Sequence, residues 1–448
     1  MNGIIGYGTY LPSGRVQLAD IAATLGIKAG KGARVVASFD EDSTTMGVAA
    51  ACTALTGAPN ALFFATTSPA YADKTNATAQ HAALGLPDDV FAADVAGSAR
   101  SGIAALKAAR ASGGVAVLAE VRVGRPGSAD ELGGGDGAAA FVFGDSSHAI
   151  AEVVAEYSTT SEFLDRWRAP GAGGGSQWEE RFGLDEYVPL IERVVKELAV
   201  DADHVVVVSP NSGVVKRAGT LVQGRLSTTS SPIGHAGTAD VGVALASVLD
   251  NAGPDETIMV LSAADGCDGL LLRTTDRIIA GRQPVSVAEQ LAAGTKVPYA
   301  TYLSWRGILD REPPRRPEPD RAAAPPSARA RAWKFAFTGT TCTACDLVHL
   351  PPARVCKRCG AVDQMTARSL ARAKGTVATF TVDRLAYSPA PPVVAAVVDF
   401  DGGGRYTLEV AESTGADLKV GARVALTFRR LNTAGGVHNY FWKARVIE

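Results

Sequence analysis

Two Cys-x-x-Cys pairs, "CTAC" and "CKRC", place the strongest constraint on how this chain folds, and they stand ten residues apart. Each pair can direct two thiolates at one tetrahedral metal ion, and this spacing is typical of a zinc ribbon rather than of chance pairs or disulfides. All four positions are cysteine, so no coordination site remains for water and the predicted zinc is structural. The predicted ligands are Cys342, Cys345, Cys356 and Cys359.

The chain changes its pattern at residues 313–332, which are rich in Pro, Arg and Ala, lack apolar periodicity and are typical of a linker. Before this segment, strand-like runs such as "GIIGYG" and "ALFFATT" alternate with helical runs, which predicts an α/β layered domain over residues 1–312. After it, we expect the zinc ribbon over 333–365. Five runs of alternating hydrophobicity then predict a small OB-fold β-barrel over 366–448.

Composition and sequence pattern make a membrane or a nucleic acid an unexpected partner of this chain. The apolar runs are too short to span a bilayer, and the N-terminus shows no basic region or cleavage site, so we expect a cytoplasmic protein without membrane contact. Residues 333–448 carry 15 Lys and Arg against 9 Asp and Glu, although the whole chain has a formal net charge of −2. Nucleic acid is not an expected partner, because the adjacent Phe441 and Trp442 would point to opposite faces of a strand and form no stacking platform.

Several stretches of the first part follow one another in a recognisable order, among them "FDEDSTTMGVAAA", "SPAYADKTNATAQHAALGL", "GDGAAAFVFGD" and "IGHAGTADVGVALASVLD". In this order they resemble the archaeal-type hydroxymethylglutaryl-CoA synthases of the thiolase superfamily. The second part resembles the rubredoxin-like zinc-ribbon and OB-fold proteins that accompany thiolase-like enzymes. The resemblance implies a five-layer αβαβα fold, a coenzyme A thioester as substrate or ligand, and a homodimer formed through the segment around residues 94–106. It leaves open a larger complex with another acyl-CoA enzyme.

Claisen condensation in that family uses a Cys, a His and a Glu, and the resemblance places Ala99, Val208 and Thr67 at these three positions. We therefore expect neither a functional synthase nor a thiolase. One hypothesis is a non-covalent carbon–carbon bond enzyme of the aldolase or retro-aldolase type that acts on a β-hydroxyacyl-CoA. Such a step needs a base and an oxyanion site, but no nucleophile. The alternative is a catalytically inactive thiolase-like scaffold or subunit of an acyl-CoA-processing complex.

The candidate catalytic residues come from segments that line the pocket in the resembling family. The phenol of Tyr71 could donate to an enolate, His235 could act as a base, and Asp265 lies in a glycine-rich loop beside the site. Each has a structural alternative: a packing aromatic, a histidine bonded to a loop, and a turn-forming aspartate. Cys267 is a weaker nucleophile candidate because it lies on a different segment from the family cysteine. The expected CoA-binding residues are Arg100, Asn211, Lys216 and Arg217.

Overall fold

The computed structural model describes residues 2–28, 30–222, 231–312 and 316–447, which group into two units. The first unit contains Asp42–Thr78 and Pro87–Arg306 together with the segment that ends at Ser38. The second begins at Gly307 and includes the short segments Phe39–Glu41 and Ala79–Leu86. The predicted domain boundaries at 312, 332 and 365 stay predictions.

The chain up to Arg306 alternates between strands and helices, as predicted. Its strands are β1 (Asn2–Tyr10), β2 (Gly14–Gln17), β3 (Ala33–Val36), β4 (Ala61–Ala65), β5 (Phe91–Val95), β6 (Val115–Glu120), β7 (Gly137–Asp145), β8 (Ala151–Thr160), β9 (Arg166–Trp167), β10 (Ser176–Gln177), β11 (His204–Val208), β12 (Thr257–Ala263), β13 (Gly266–Thr274) and β14 (Thr295–Lys296). Its helices are α1 (Leu18–Leu25), α2 (Ser43–Ala54), α3 (Ala77–Ala83), α4 (Ser101–Ser112), α5 (Ala129–Gly133), α6 (Glu180–Leu198), α7 (Ser212–Leu221), α8 (Asp240–Leu249), α9 (Val287–Ala292) and α10 (Tyr299–Trp305).

The main sheet has the strand order β11-β12-β13-β8-β1-β7-β6-β4-β5. β4 runs parallel to β5 and β6, and β11 runs parallel to β12, whereas the other neighbouring strands pair antiparallel. Helices α4 and α8 contact each other between the two halves of the sheet. On the outer faces, α2 packs on β1, β6 and β7, and α6 packs on β8 and β13. This arrangement agrees with the predicted five-layer αβαβα fold.

Small residues let the central helices approach the strands and each other. Gly102 of α4 lies where a Cβ atom would overlap the carbonyl oxygen of Thr238, just before α8. Gly242 of α8 lies where a Cβ would be 2.7 Å from the Cβ of Ala139 on β7. The high Gly and Ala content of the chain therefore has a direct packing role in the central layer.

From Gly307 onward, the described residues of the second unit form one helix and two small sheets. Its elements are α11 (Ala324–Lys334), β15 (Thr338–Cys342), β16 (Val348–His349), β17 (Met365–Ser369), β18 (Gly375–Asp383), β19 (Val393–Phe400), β20 (Arg405–Glu409), β21 (Arg423–Ala434) and β22 (Val437–Val446). The sheet β16-β15-β17 carries the cysteines, and the sheet β20-β19-β18-β21-β22 contains the five strands expected of the barrel.

The predicted linker over residues 313–332 stays a prediction, but part of this segment is helical. Residues 324–332 of this segment belong to α11, while residues 313–315 lie outside the described part of the chain. Prolines occupy the first turn of this helix, where the missing N–H costs no hydrogen bond, and Ala and Arg follow, which are strong helix formers. The absence of apolar periodicity therefore did not indicate the secondary structure of residues 324–332, because helix propensity and the position of the prolines favour a helix there.

Part of the positive charge of the second unit is buried. Arg429 and Lys443 are almost inaccessible to solvent, and they pair with Glu412 at 2.6 Å and Glu409 at 2.7 Å. A count of basic residues therefore overstates the positive charge at the surface of this unit. Among the described residues, no helix combines the length and the apolar character required to cross a membrane.

We expect Gly102→Ala to lower the stability of the protein by about 1–3 kcal/mol, because the added methyl group overpacks the contact between α4 and the start of α8. Urea unfolding followed by circular dichroism measures the change. Gly57→Ala is the matched control, since a Cβ at Gly57 meets no atom within 4 Å. Equal unfolding midpoints for the two variants would show that this contact is not tight.

Candidate active site

Two adjoining cavities lie in the first unit, with volumes of about 280 Å³ and about 160 Å³. Both are lined by Arg166, Pro210 and His235. Their other lining residues include segments that directly follow β4, β5, β6, β11 and β12. Ligands of α/β proteins commonly bind beyond the carboxyl ends of parallel strands, so this position is typical of a substrate site.

The three positions that the resemblance assigned to catalytic side chains all reach these cavities. Thr67 and Ala99 line the smaller cavity, and Val208 lines the larger one. Ala99 lies in the turn between β5 and α4, which Gly97 enters with a φ of 139°. The backbone N–H of Arg100 donates to Ser98 Oγ at 3.3 Å, which fixes the turn. Residue 99 therefore offers a methyl group at the start of a helix and no nucleophile.

His235 is held by a buried carboxylate. Its Nδ1 donates to Asp240 Oδ2 at 2.5 Å, and the same carboxylate accepts from the backbone N–H of Ala236 at 2.6 Å. The backbone of His235 also donates to the carbonyl oxygen of Gly133 at 2.8 Å. Asp240 is the first residue of α8 and is 4% exposed. The pair has the geometry of a base oriented by an acid, the arrangement used in general acid–base catalysis.

A second buried carboxylate, Glu120, lies beside the cavity at the end of β6. It accepts from the backbone N–H of Thr67 at 3.0 Å and from the Thr67 hydroxyl at 3.0 Å. It also accepts from the backbone N–H of Thr238 at 3.3 Å. Glu120 was not among the predicted site residues, although a glutamate that ends the apolar run "VAVLA" is a usable signal. Its contacts link the loop after β4 to the segment that precedes α8.

Arginines surround the smaller cavity. Arg122 pairs with Asp130 at 3.2 Å, and Arg166 also pairs with Asp130. Burial on its own would raise the pKa of Asp130, but the charges of Arg122 and Arg166 outweigh burial and hold this pKa below its usual range. These three residues were not predicted. Arg122 and Asp130 stand eight positions apart, Arg166 lies further along the chain, and only the fold brings them together.

Tyr71 and Asn211, which were predicted as site residues, line neither of the two cavities. Tyr71 donates its backbone N–H to Asn76 Oδ1 at 3.0 Å in the loop after β4. Asn211 is fully buried, and its amide donates to the carbonyl oxygen of Glu180 at 3.0 Å while its oxygen accepts from the N–H of Gly213 at 3.0 Å. Asn211 thus joins the starts of α6 and α7, and the structure does not bring either residue to His235.

The predicted cations differ in their surroundings. Arg100 is paired with Asp268 at 2.8 Å and donates to the carbonyl oxygens of Asp265 and Thr159 at 2.7 and 2.9 Å. Its guanidinium therefore fastens the turn to the loop before β13. Lys216 is exposed at the larger cavity, whereas the exposed Arg217 does not line it. Of these three, Lys216 is the cation best placed to meet a bound anion.

The loop between β12 and β13 contributes one carboxylate to the site. Asp265 lines the smaller cavity and adopts a positive φ of 51°. The neighbouring Cys267 is fully buried, and burial followed by the charge of Asp268 raises the pKa of its thiol to about 12. Cys267 also lines neither of the two cavities, so its position and its raised thiol pKa both argue against it as the missing nucleophile.

The four cysteines of the second unit form a cluster of their own. The sulfur atoms of Cys342 and Cys359 are 3.7 Å apart, and those of Cys345 and Cys356 are 3.5 Å apart. All four sulfur atoms lie within 4.8 Å of one another. Tetrahedral coordination with zinc–sulfur bonds of about 2.3 Å puts the sulfur atoms roughly 3.8 Å apart, so the cluster fits a zinc ion closely.

Comparison with known proteins gives consistent results for both parts of the chain. The hydroxymethylglutaryl-CoA synthase of Archaeoglobus fulgidus is 33% identical over 346 residues, which covers 68% of this chain and 98% of that protein. The synthase of Methanopyrus kandleri is 30% identical over 349 residues, covering 68% and 97%. A crystal structure of HMG-CoA synthase complexed with CoA has a TM-score of 0.60 at 15% identity, covering 70% of this chain and 91% of that one.

A family model described as the C-terminal OB-fold domain of ChsH2 matches residues 368–429. The predicted thiolase-like fold followed by an OB fold is therefore confirmed.

The functional hypotheses drawn from the sequence are contradicted by these comparisons. The relatives that match over nearly their whole length are named as synthases, and none of the compared names indicates an aldolase, a lyase or an inactive scaffold. The error has a physical reason. The hypotheses equated the loss of three aligned side chains with the loss of condensing chemistry, although the folded chain places a histidine that contacts a carboxylate, His235 with Asp240, at the cavity.

We expect Asp130→Asn to destabilise the protein at pH 7 by about 1–3 kcal/mol, because two partly buried guanidinium groups lose their carboxylate. A lowered pKa means that the stabilisation is present above 3.8, the ordinary pKa of an aspartate, and is lost as the pH falls through the lower pKa of the folded state. The difference from the unmodified protein should thus shrink below about pH 4. Urea unfolding over this pH range measures it, with the exposed Asp88→Asn as control.

Proposed function

The chain belongs to the hydroxymethylglutaryl-CoA synthase family, and from this premise we propose that it is a condensing enzyme that joins two CoA thioesters through a carbon–carbon bond. The observation that carries the proposal is the contact between His235 and Asp240 at the cavity, because carbon–carbon bond formation between thioesters requires a base for the α-carbon of the donor. Asp240 holds Nδ1 of the imidazole, which leaves Nε2 for the substrate.

Apart from the two thioesters, the proposed reaction needs only water as a reactant. Nε2 of His235 removes a proton from the α-carbon of the donor thioester, and the resulting enolate attacks the ketone carbon of a β-ketoacyl-CoA. The alkoxide that forms takes the proton back from the imidazolium. Water then cleaves the donor thioester, which releases CoA and leaves a carboxylate on the product. The turn at residues 98–99, which precedes the start of α4, is the proposed place for the enolate oxygen, since negative charge is stabilised near a helix N-terminus.

The methyl group of Ala99 determines how the donor substrate is held during the proposed reaction. An acyl-enzyme cannot form at residue 99, so the donor stays attached to CoA throughout the carbon–carbon bond step. That step depends on removing a proton and on stabilising negative charge, and a thiol contributes to neither. The larger cavity, with Lys216 at its wall, is the proposed place for part of the CoA.

We expect His235→Asn to lower the rate of condensation by about 10²–10⁴-fold, the usual contribution of a general base. The assay incubates the full chain with acyl-CoA thioesters and acetoacetyl-CoA and follows the hydroxyacyl product and free CoA by mass spectrometry. The same variant should stop the exchange of α-protons of the donor in D₂O, which reports the first step alone.

His204→Asn is the matched control, because His204 also contacts a carboxylate, Glu256 at 2.6 Å, but does not line the described cavities. We expect this variant to keep the activity of the unmodified protein. Unchanged condensation and exchange in His235→Asn would contradict the proposed role of this histidine, and an unmodified protein without either reaction would contradict the proposed function.

We also propose that the four cysteines hold one structural zinc ion. The sulfur–sulfur distances support the proposal, and such an ion would tie β15 to the loop that contains "CKRC". It would supply no step of the reaction, since all four ligands come from the protein.

Elemental analysis of the purified protein is expected to give one zinc per chain. Cys342→Ser should lose most of this zinc and lower the temperature of unfolding, because a structural metal site contributes directly to folding. Cys52→Ser, a cysteine of α2 outside the cluster, should keep both values. Metal-free protein with an unchanged unfolding temperature would refute the zinc assignment.

A homodimer is proposed through β5, the strand before the turn at residues 97–100. This strand lies at the edge of the main sheet, and the side chain of Phe91 at its start is 61% exposed. An edge strand has unpaired backbone groups that can pair with a second copy. A cytoplasmic location and a larger complex with another acyl-CoA enzyme stay predictions.

A further inference from the structure

The smaller cavity has an unusual charge balance for a site that receives an acyl chain. Three guanidinium groups line it, from Arg122, Arg166 and Arg168, against the single carboxylate of Asp265. Asp130 lines the adjoining cavity and pairs with two of these arginines. Among the side chains that line the smaller cavity, the positive charges therefore outnumber the negative ones, although the buried carboxylates of Asp130 and Asp165 also act on Arg166.

The arginines are held in place by the surrounding backbone and by buried carboxylates. The backbone N–H of Arg122 donates to Asp136 Oδ1 at 2.9 Å, and its side chain is only 11% exposed. Arg166 is 17% exposed and contacts Asp130. The guanidinium of Arg168 donates to the carbonyl oxygen of Thr67 at the rim of the cavity. Such groups lose little freedom when a ligand binds, which favours recognition of an anion.

Asp130 does not fully neutralise the positive charge beside it. Burial, followed by the charge of Arg122, lowers the pKa of the Arg166 guanidinium, although Asp130 and, more weakly, Asp165 oppose this effect. Partly buried guanidinium groups that share one carboxylate are stabilised when a second anion binds, and a carboxylate can accept two parallel hydrogen bonds from an arginine.

We propose that the smaller cavity binds a carboxylate at the far end of the acyl chain, so that the donor substrate is the CoA thioester of a dicarboxylic acid. This inference rests on the proposed function, because it takes the acyl group beside His235 to be the one that reacts. The anion could also be a phosphate of CoA. A volume of about 160 Å³ is below the range of about 300–1,000 Å³ usual for a whole ligand, and it suits an acyl chain better than a nucleotide.

The experiment compares binding of matched thioesters to the full chain by calorimetry at constant ionic strength. Malonyl-, succinyl- and glutaryl-CoA are each paired with the thioester whose terminal carboxylate is replaced by the amide of the same shape. For the chain length that fits, we expect the carboxylate to bind at least about tenfold more tightly than its amide, a difference of about 1.4 kcal/mol.

Variants of the arginines test which group produces this preference. Arg166→Gln should lower the affinity for the carboxylate to that for the amide and leave the affinity for the amide unchanged, whereas Arg166→Lys should keep part of the preference. Arg168→Gln provides a second test at an exposed side chain, where loss of folding is not expected. Lys216→Gln at the larger cavity should change both affinities by the same factor.

Two results would overturn the inference. Equal affinities within all three pairs would exclude a carboxylate site, and an equal loss for both members of a pair in Arg166→Gln would show that the arginines bind the CoA phosphates. Neither result bears on the condensation assay, so the proposed function would survive if neutral thioesters were condensed. Conversely, a retained preference for carboxylates without condensation or α-proton exchange would refute the proposed function and leave the carboxylate site standing.

Discussion

The close contact between the starts of α4 and α8 is the constraint on which the site depends. Gly102 allows α4 to approach the carbonyl oxygen of Thr238, two residues before α8 begins. Because both helices begin at the same side of the sheet, the turn at residues 97–100 and the pair His235–Asp240 come to one cavity. A larger side chain at this contact would separate the two halves of the site as well as reduce packing.

Burying several charges in one place is costly, and the structure offsets this cost with contacts that also shape the site. Asp136 accepts from the guanidinium of Arg306 at 2.7 Å, from the backbone of Ala37 at 2.8 Å and from the backbone of Arg122 at 2.9 Å. Ion pairs of this kind add little stability by themselves, since desolvation opposes the attraction between the charges. Their value here lies in fixing the position of Arg122 and, through Asp130, of Arg166.

Sequence reasoning succeeded where a local pattern determines the result. Alternating runs identified the strands of both units, and the spacing of the cysteines identified a cluster whose sulfur atoms do meet. His235 was found because a resemblance placed it in the pocket. Asp240, Arg122 and Arg166 were missed because their roles arise from tertiary contacts, although a carboxylate five residues after a histidine at a helix start was a usable signal. The error about function had the same origin, since three aligned positions were given more weight than the whole cavity.

In the proposed reaction, His235 acts as a base among charged side chains, without a thiol at residue 99. A histidine that removes a carbon-bound proton becomes positively charged, and His235 shares its cavity with the guanidinium groups of Arg122 and Arg166. Asp240 compensates because its carboxylate contacts the imidazole directly. In the proposed reaction, the negative charge of the enolate appears beside the turn at residues 97–100 as the imidazolium forms. The positive charge that forms on His235 thus lies beside the carboxylate of Asp240. An acyl carboxylate bound to the arginines would likewise give their positive charges an opposite partner.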